Sequence, residues 1–152
     1  MTAVRRLAPS DRDAWDGLWA GYLEYYEHVL AAEVTDAVFA QLSAGSGPVT
    51  GLVAEGDDGG PVGFAHLVFH PSTWALGDYC YLEDLFVDPT ARRAGVARAL
   101  ISATYAEADR RGAAKTYWQT QEGNREGRAL YDQVAERSGY LVYERPVQGA
   151  VF

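Results

Sequence analysis

The stretch YCYLEDLFVDPTARRAGVARALI, from Tyr79 to Ile101, carries the strongest pattern in the sequence. Its first part is rich in strand-forming residues, and Pro89 ends it. From Val96 onward, apolar residues recur at three- and four-residue steps, which predicts an amphipathic helix. Small and positively charged residues fill the loop between the two elements. In an otherwise acidic protein, that composition predicts a site for an anion.

The start of the predicted helix provides the physical basis for such a site. Its first backbone N–H groups have no intrahelical partner, and the helix dipole is positive there. Gly95 and Ala97 would let an anion approach the backbone, while Arg92 and Arg93 supply positive charge. The string R-x-x-G-x-A alone is a weak motif. A basic turn that merely enters a helix is its alternative interpretation.

Apolar periodicity and turn residues predict the other elements. The predicted strands are Thr2–Leu7, Val49–Glu55, Val62–His70, Tyr79–Val87, Lys115–Thr120 and Tyr140–Arg145. The predicted helices are Asp13–Leu30, Thr35–Leu42, Val96–Arg111 and Glu126–Arg137. The order β-αα-β-β-β-α-β-α-β predicts an α/β fold, with a mixed sheet of about six or seven strands flanked by about four helices. We expect residues 1–152 to form a single domain.

Composition excludes several classes of function. The 152 residues carry a formal net charge of −8, which argues against a nucleic-acid partner. No apolar run approaches the roughly 20 residues of a membrane span, and the N-terminus lacks the apolar core of a secretory signal. Cys80 is the only cysteine, so we expect a cytoplasmic protein without disulfides. The three histidines, His28, His66 and His70, lack metal-ligand spacing, so we expect no metal and interpret them as structural or exposed.

Two motifs together resemble the GCN5-related N-acetyltransferase (GNAT) superfamily. The segment YLEDLFVDP and the loop after it resemble the family's motif A, whose defining positions here are Arg92, Gly95 and Ala97. The segment NREGRALY resembles a second signature, through Asn124, Gly127, Leu130 and Tyr131. The predicted element order is also that of this family. Within it, the sequence looks most like the Hpa2-type and the diamine (spermidine/spermine) acetyltransferases. One departure is that Gly139-Tyr140 follows Tyr131 by eight residues, where the family usually has Gly-Phe after about four.

The resemblance implies acetyl-CoA as acyl donor and direct transfer of the acetyl group to an amine. The coenzyme A positions that it implies are Leu85, Phe86, Val87, Arg92, Arg93, Ala94, Gly95, Val96, Ala97, Asn124 and Tyr131. In the family, a bulge in the strand before the loop splays the sheet, so that the pantetheine arm enters like an extra strand. A homodimer is implied by family habit, with Tyr140–Arg145 or the exposed sheet edge as candidate interface.

Acyl transfer from a thioester to an amine requires a neutral amine, a stabilised oxyanion and a proton for the departing thiolate. A lysine-like amine with a pKa of about 10.4 is neutral in only about one molecule per few thousand near pH 7. The resemblance implies Glu83 as the general base and Asp84 as a ligand for a second positive charge of the amine. Strand alternation sends these two side chains to opposite faces unless a bulge intervenes, so which of them faces the site stays open. The alternative is that both carboxylates are solvated or paired with an arginine.

The remaining site residues also come from the resemblance. Tyr131 is implied as general acid and Asn124 as a hydrogen-bond partner of the pantetheine arm; a packing tyrosine and a helix-cap asparagine are the alternatives. A backbone N–H of Leu85–Val87 is expected to bind the oxyanion. The expected acceptor-site residues are Tyr22, Glu24, Tyr26, Glu27 and Trp118. We expect Trp118 on the strand opposite Glu83, and packing is its equal alternative. An aromatic stripe such as Trp15, Trp19, Tyr22 and Tyr26 is more often core.

The resulting hypothesis is an N-acetyltransferase acting on a small polycationic amine or a lysine-like side chain. Protein lysines, as in histone acetylation, and thialysine-like amino acids are alternative acceptors. A non-catalytic acyl-CoA-binding regulatory domain is the rival from another class, and Glu83, Asn124 and Tyr131 together argue against it. The loop lacks the Gly-Lys-Ser/Thr of a P-loop, which argues against a nucleotide site.

Overall fold

A computed structural model describes residues 2–152 of the chain. By their contacts, the residues form two compact units. The first ends at Trp118, and the second comprises Gln119–Phe152.

The first unit contains a five-stranded sheet whose strands lie in chain order. These strands are β1 (Val4–Arg6), β2 (Val49–Glu55), β3 (Pro61–His70), β4 (Tyr79–Val87) and β5 (Lys115–Tyr117). All neighbouring pairs are antiparallel except β4 and β5, which run parallel. A parallel pair needs a long crossover, and helix α3 (Val96–Arg110) provides it between these two strands.

Two further helices of the first unit, α1 (Arg12–Tyr25) and α2 (Ala32–Leu42), bury their apolar residues against the sheet. Trp15 and Trp19 of α1 pack in one cluster with Phe39 of α2 and with Phe64 and Phe86 of the strands. Another set of buried side chains belongs to α3, which contacts β2, β3 and β4. The α/β class and the mixed sheet predicted from the sequence are therefore confirmed.

Helix α1 ends at Tyr25, five residues before the predicted end at Leu30. Glu27 adopts φ of 52°, the left-handed conformation that usually terminates a helix at glycine. The N–H of His28 binds the carbonyl of Leu23, and the N–H of Glu27 binds that of Glu24, which together make a Schellman motif. Because a glutamate occupies the position where glycine is usual, the sequence contained no stop signal.

The second unit contains helix α4 (Arg125–Val134), and no strand or helix follows it. The predicted strand Tyr140–Arg145 is therefore wrong, and residues 2–152 form five strands rather than six or seven. The segment has the apolar pattern of a strand, but a strand also needs a hydrogen-bonding neighbour. Tyr140 and Tyr143 are instead 81% and 92% exposed. Strand β5 is likewise shorter than predicted and ends at Tyr117.

Candidate active site

A β-bulge in β4 separates the roles of the two adjacent carboxylates. Along the β3–β4 pairing, His66 is opposite Asp84, but the next residue, Leu67, is opposite Leu82. Glu83 is therefore the extra residue of the bulge, which interrupts the simple alternation of side chains. A bulge at this strand was expected from the family resemblance, and the structure confirms it.

The Asp84 carboxylate is held by donors from two different elements. The hydroxyl of Tyr22 in α1 donates to its Oδ1 at 2.7 Å. Nδ1 of His66 in β3 lies 2.9 Å from its Oδ2. His66 in turn accepts at Nε2 a hydrogen bond of 3.0 Å from the indole N–H of Trp15. Asp84 thus ends a chain of hydrogen bonds that begins in the core.

The Glu83 carboxylate has a different environment from that of Asp84. Within residues 2–152, no side-chain or backbone donor binds the Glu83 carboxylate. The residue is exposed, yet the protein around its carboxylate removes enough water to raise its pKa, and the charge of Asp84 acts in the same direction. A carboxylate with a raised pKa and no protein donor is able to accept a proton from a ligand.

Two tyrosines beside the carboxylates respond to the same negative charge. Burial raises the pKa of Tyr22, and the charge and hydrogen bond of Asp84 raise it further. Burial also raises the pKa of Tyr81, with Glu83 adding to the effect. Both phenols therefore stay protonated, and that of Tyr22 donates a hydrogen bond to Asp84.

The loop after β4 has the backbone geometry that an anion site needs. Gly95 adopts φ of 77°, a left-handed conformation, and α3 begins at the next residue. No heavy atom lies within 4 Å of the position that a Cβ would take on Gly95, so the space above this backbone is open. Arg93, at φ of 64°, is also left-handed, and both it and Ala94 are exposed. Val96 is buried, and Ala97 is partly buried.

Arg92 is oriented by strand β4. Its Nε donates to the carbonyl of Val87 at 3.2 Å, and its guanidinium lies 5.8 Å from the ring centre of Phe86. Along the edge that faces β5, strand β4 pairs only through Tyr79–Tyr81. From Leu82 to Val87, including Leu85, no strand of residues 2–152 occupies that edge, while the opposite edge pairs with β3. Backbone groups of this stretch are thus available to an extended ligand.

The residues expected around the acceptor amine lie in several environments. Tyr22 is half-buried, whereas Tyr26 is 42% exposed. Glu24, at the end of α1, and Glu27, in the turn after it, are also exposed. Trp15 and Trp19 are core residues, as the alternative for the aromatic stripe predicted.

Trp118 does not lie where the sequence placed it. We expected it on the strand opposite Glu83, but β5 ends at Tyr117 and pairs with Tyr79–Tyr81. Trp118 follows the strand and contacts Tyr105 of α3, with ring centres 6.4 Å apart. Its proposed contact with an acceptor therefore has no support from strand pairing.

In the second unit, Asn124 caps helix α4. Its Oδ1 accepts from the N–H of Gly127 at 3.2 Å, and its Nδ2 donates to the Thr120 hydroxyl at 2.9 Å. A Cβ on Gly127 would collide with the Asn124 amide, which explains the glycine of the signature. The helix-cap alternative thus describes Asn124 in this structure. Tyr131 lies on α4 and is partly buried.

The sequence analysis named Tyr22 as an acceptor-site residue, but it did not connect Tyr22 or His66 with Asp84. His66 was interpreted as structural or exposed, and it is 2% exposed and hydrogen-bonded on both ring nitrogens. Cys80 is also buried, and burial raises the pKa of its thiol to about 11, which makes it a poor nucleophile. Among residues 2–152, no group of three or more His, Cys, Asp or Glu side chains is arranged to hold a metal ion. Nor does any helix in that range combine the length and apolarity of a membrane span.

A profile of the Acetyltransferase (GNAT) family matches residues 13–135, which is most of the chain and extends across both units. The chain belongs to the GNAT acetyltransferase family. The resemblance seen in the two sequence motifs is thereby confirmed, and the protein is a GNAT N-acetyltransferase.

Individual GNAT proteins match over much of the chain. The D-amino-acid N-acetyltransferase HPA3 of Saccharomyces cerevisiae is 33% identical over 143 residues, covering 93% of this chain and 89% of that protein. The thialysine N-epsilon-acetyltransferase of Caenorhabditis elegans is 35% identical over 74 residues, 49% of this chain and 46% of that one. The aminoglycoside N-acetyltransferase AAC(6')-Iy, bound to the bisubstrate analogue CoA-S-monomethyl-acetylneamine, superposes with a TM-score of 0.81 at 18% identity, covering 97% of this chain and 99% of that chain. This last likeness shows that the fold is shared.

Proposed function

We propose that the protein transfers an acetyl group from acetyl-CoA directly to the primary amine of a small cationic molecule or a lysine-like side chain. One observation carries the proposal. A strand with an unbonded carboxylate at its bulge, Glu83, leads into a left-handed glycine loop and the start of α3. An amine site and an anion site would thus be built from consecutive residues.

The loop residues fit the diphosphate of coenzyme A. The open space above Gly95 and the first N–H groups of α3 would receive its oxygens, and Arg92 and Arg93 would neutralise its charge. The unpaired edge of β4 at Leu85–Val87 would receive the extended pantetheine arm. When bound, acetyl-CoA supplies the thioester whose acetyl group is transferred. Ala94, Val96 and Ala97 complete the proposed contact.

We assign the general base to Glu83 rather than to Asp84. Asp84 already accepts two hydrogen bonds, one on each carboxylate oxygen, which hold the carboxylate in one orientation. Glu83 accepts none from residues 2–152, and its raised pKa brings it nearer to that of an amine. Glu83 would take the proton of the ammonium group, directly or through water. Asp84, with lone pairs left on both oxygens, would bind a positive charge of the acceptor.

The proposed acceptor is cationic because negative and aromatic groups surround this end of α1. Glu24 and Glu27 are exposed there, with Tyr22 and Tyr26 beside them, and the protein carries a net charge of −8. Similarity to proteins named for D-amino acids and thialysine favours the amine of an amino acid as a second candidate.

The roles proposed for the second unit rest on the family signature. Tyr131 would give a proton to the departing thiolate, since a phenol with a pKa of about 10 suits a thiol with a pKa of about 8.5. Asn124 would bind the pantetheine arm through the hydrogen-bonding capacity that its cap and its bond to Thr120 leave unused.

We further propose that the enzyme works as a homodimer. Tyr140, Leu141, Val142 and Tyr143 form a continuous apolar run that is 66–92% exposed in the single chain, and such a run is typical of an interface. Light scattering on the Tyr140→Asp/Tyr143→Asp variant should give a monomer where the wild type gives a dimer. A monomeric wild type would refute this part. The cytoplasm is the proposed compartment because the single cysteine, Cys80, is a buried free thiol.

A panel of amines incubated with acetyl-CoA tests the proposal, with released thiol as the readout. The panel contains polyamines, D- and L-amino acids, thialysine, aminoglycosides and lysine peptides. Polyamines should react fastest. Glu83→Gln should slow the reaction by about 10²–10⁴-fold, while Glu136→Gln, at an exposed glutamate of the second unit, should leave its rate unchanged. If only amino acids react, the second candidate replaces the first. If no amine reacts, the proposed function is wrong.

A further inference from the structure

The chain Trp15–His66–Asp84 fixes the position of the proton on the imidazole. An indole N–H can only donate, so Nε2 of His66, 3.0 Å from it, must accept. A neutral imidazole with an acceptor at Nε2 has its proton on Nδ1. That proton points at Oδ2 of Asp84, 2.9 Å away. His66 is thus a neutral donor to Asp84.

The surroundings of His66 keep it in this state. Its ring stacks on Phe64, with centres 4.2 Å apart and planes 10° from parallel, and the rings of Trp15 and Trp19 lie 5.9 Å and 5.3 Å away. The residue is 2% exposed. A second proton on Nε2 would oppose the Trp15 N–H and place a charge inside an aromatic core. Packing and hydrogen bonding therefore favour the same protonation state and the same ring orientation.

We propose that His66 is a positioning residue of the acetyl transfer, acting through Asp84. Together with the Tyr22 hydroxyl, its Nδ1–H holds the Asp84 carboxylate in one orientation. Asp84 then serves as a fixed negative group for the acceptor's ammonium, and Glu83 is left as the carboxylate that exchanges protons. This inference rests on the proposed function.

Several titratable groups face the two carboxylates from the surrounding elements. Tyr22 belongs to α1, Tyr26 directly follows that helix, and Tyr81 belongs to β4. Burial raises the pKa of all three, so these phenols remain neutral through the pH range of an acetyl-transfer assay. His66 is the imidazole that contacts the pair. A change in the pH profile of a His66 variant therefore reports on the carboxylates themselves.

Two amide substitutions at His66 separate positioning from packing. An asparagine amide reaches the place of Nδ1, so His66→Asn keeps a donor to Asp84 and loses the acceptor for Trp15. A glutamine amide reaches the place of Nε2, so His66→Gln keeps the acceptor and loses the donor. Each variant loses one hydrogen bond and the imidazole ring that stacks on Phe64. If His66 only packs, both variants should be impaired equally.

The measurements are the KM of the best amine and the dependence of kcat/KM on pH. For His66→Gln we expect KM to rise about tenfold, the effect of losing one hydrogen bond to a charged group. The acidic limb of its pH profile, which Glu83 sets, should also shift, because the Asp84 charge that helps to raise the pKa of Glu83 is no longer held in place. His66→Asn should keep the acidic limb of the wild-type pH profile. His70→Gln, which removes an imidazole at the end of β3, should match the wild type. Equal profiles for the Asn and Gln variants overturn the inference.

Nitrogen-15 NMR of the wild-type imidazole tests the same inference without any activity. We expect His66 to show the Nδ1–H tautomer near pH 7. An Nε2–H tautomer or a protonated ring in the wild type would overturn the positioning role. Failure of every amine to react would instead refute the proposed function and leave the NMR result unaffected.

Discussion

Gly95→Ala perturbs the backbone of the loop between β4 and α3, the proposed anion site, without disturbing any packing. An L-residue in the left-handed helical region costs about 1–2 kcal/mol, and Gly95 has φ of 77°. Because no heavy atom lies within 4 Å of the new Cβ, collisions add nothing to this cost. We therefore expect the free energy of unfolding to fall by about 1–2 kcal/mol, and Tm by about 2–8 °C.

Gly17→Ala is the matched control. Gly17 lies inside α1, is exposed and also has no heavy atom within 4 Å of a new Cβ. Its backbone is helical, so alanine should stabilise the protein by about 1 kcal/mol. Urea unfolding followed by circular dichroism measures both variants. If Gly95→Ala is as stable as Gly17→Ala, the loop does not have the left-handed geometry on which the anion site depends.

Three further predictions concern the proposed catalytic residues and one ion pair. Glu83→Gln should lower kcat by about 10²–10⁴-fold in a thiol-release assay. Because the pKa of Glu83 is raised, wild-type kcat/KM should increase with pH until this carboxylate is deprotonated. If Glu83→Gln has full activity and the same pH profile as the wild type, Glu83 is not the base. Tyr131→Phe should bind coenzyme A with unchanged Kd but turn over at least tenfold more slowly, because proton donation contributes about 10²–10⁴-fold to the rate. Equal turnover of the variant and the wild type would exclude Tyr131 from the mechanism. The hydrogen bonds from Arg5 lower the pKa of Asp11 in the folded protein. They therefore stabilise the fold fully above pH 3.8, the pKa of Asp11 in the unfolded chain. This stabilisation is lost as the pH falls through the lower pKa of the folded state. Urea midpoints measured across acidic pH should therefore vary less in Asp11→Asn than in the wild type, and parallel curves would contradict this.

The segment formed by β4, the following loop and α3 was predictable because each of its parts has a local cause. The apolar strand ends at Pro89, Gly95 occupies a position with φ of 77°, and Gly112 stops α3 in the left-handed conformation. These signals lie within a few residues of the structure they determine. The hairpin of β2 and β3 was predictable for the same reason, since its turn contains glycine and aspartate.

The errors occurred where the structure depends on distant partners. Tyr140–Arg145 has the composition of a strand but finds no strand partner within residues 2–152. Its prediction failed because β-propensity mainly measures packing against neighbours. The family usually places Gly-Phe closer to the helix tyrosine than Gly139-Tyr140 lies here, and the missing strand falls in this same region.

The hydrogen-bond chain to Asp84 had no signal in the sequence. Asp84 and His66 are 18 residues apart, and Asp84 and Tyr22 are 62 apart. Each of the three residues has an unremarkable position in its own strand or helix. Only the pairing of β3 with β4 and the packing of α1 bring them together. The motif located the carboxylate pair, but it did not distinguish the free carboxylate from the held one.

Isothermal titration calorimetry with coenzyme A and with pantetheine tests the central claim most directly, because pantetheine lacks the diphosphate. If main-chain groups at Gly95 and Val96 bind that diphosphate, Gly95→Ala should weaken the binding of coenzyme A about tenfold, the loss expected for a hydrogen bond to a charged group. The affinity for pantetheine should stay unchanged. Equal affinity of the wild type for the two ligands, or an unchanged affinity of Gly95→Ala for coenzyme A, would contradict the account.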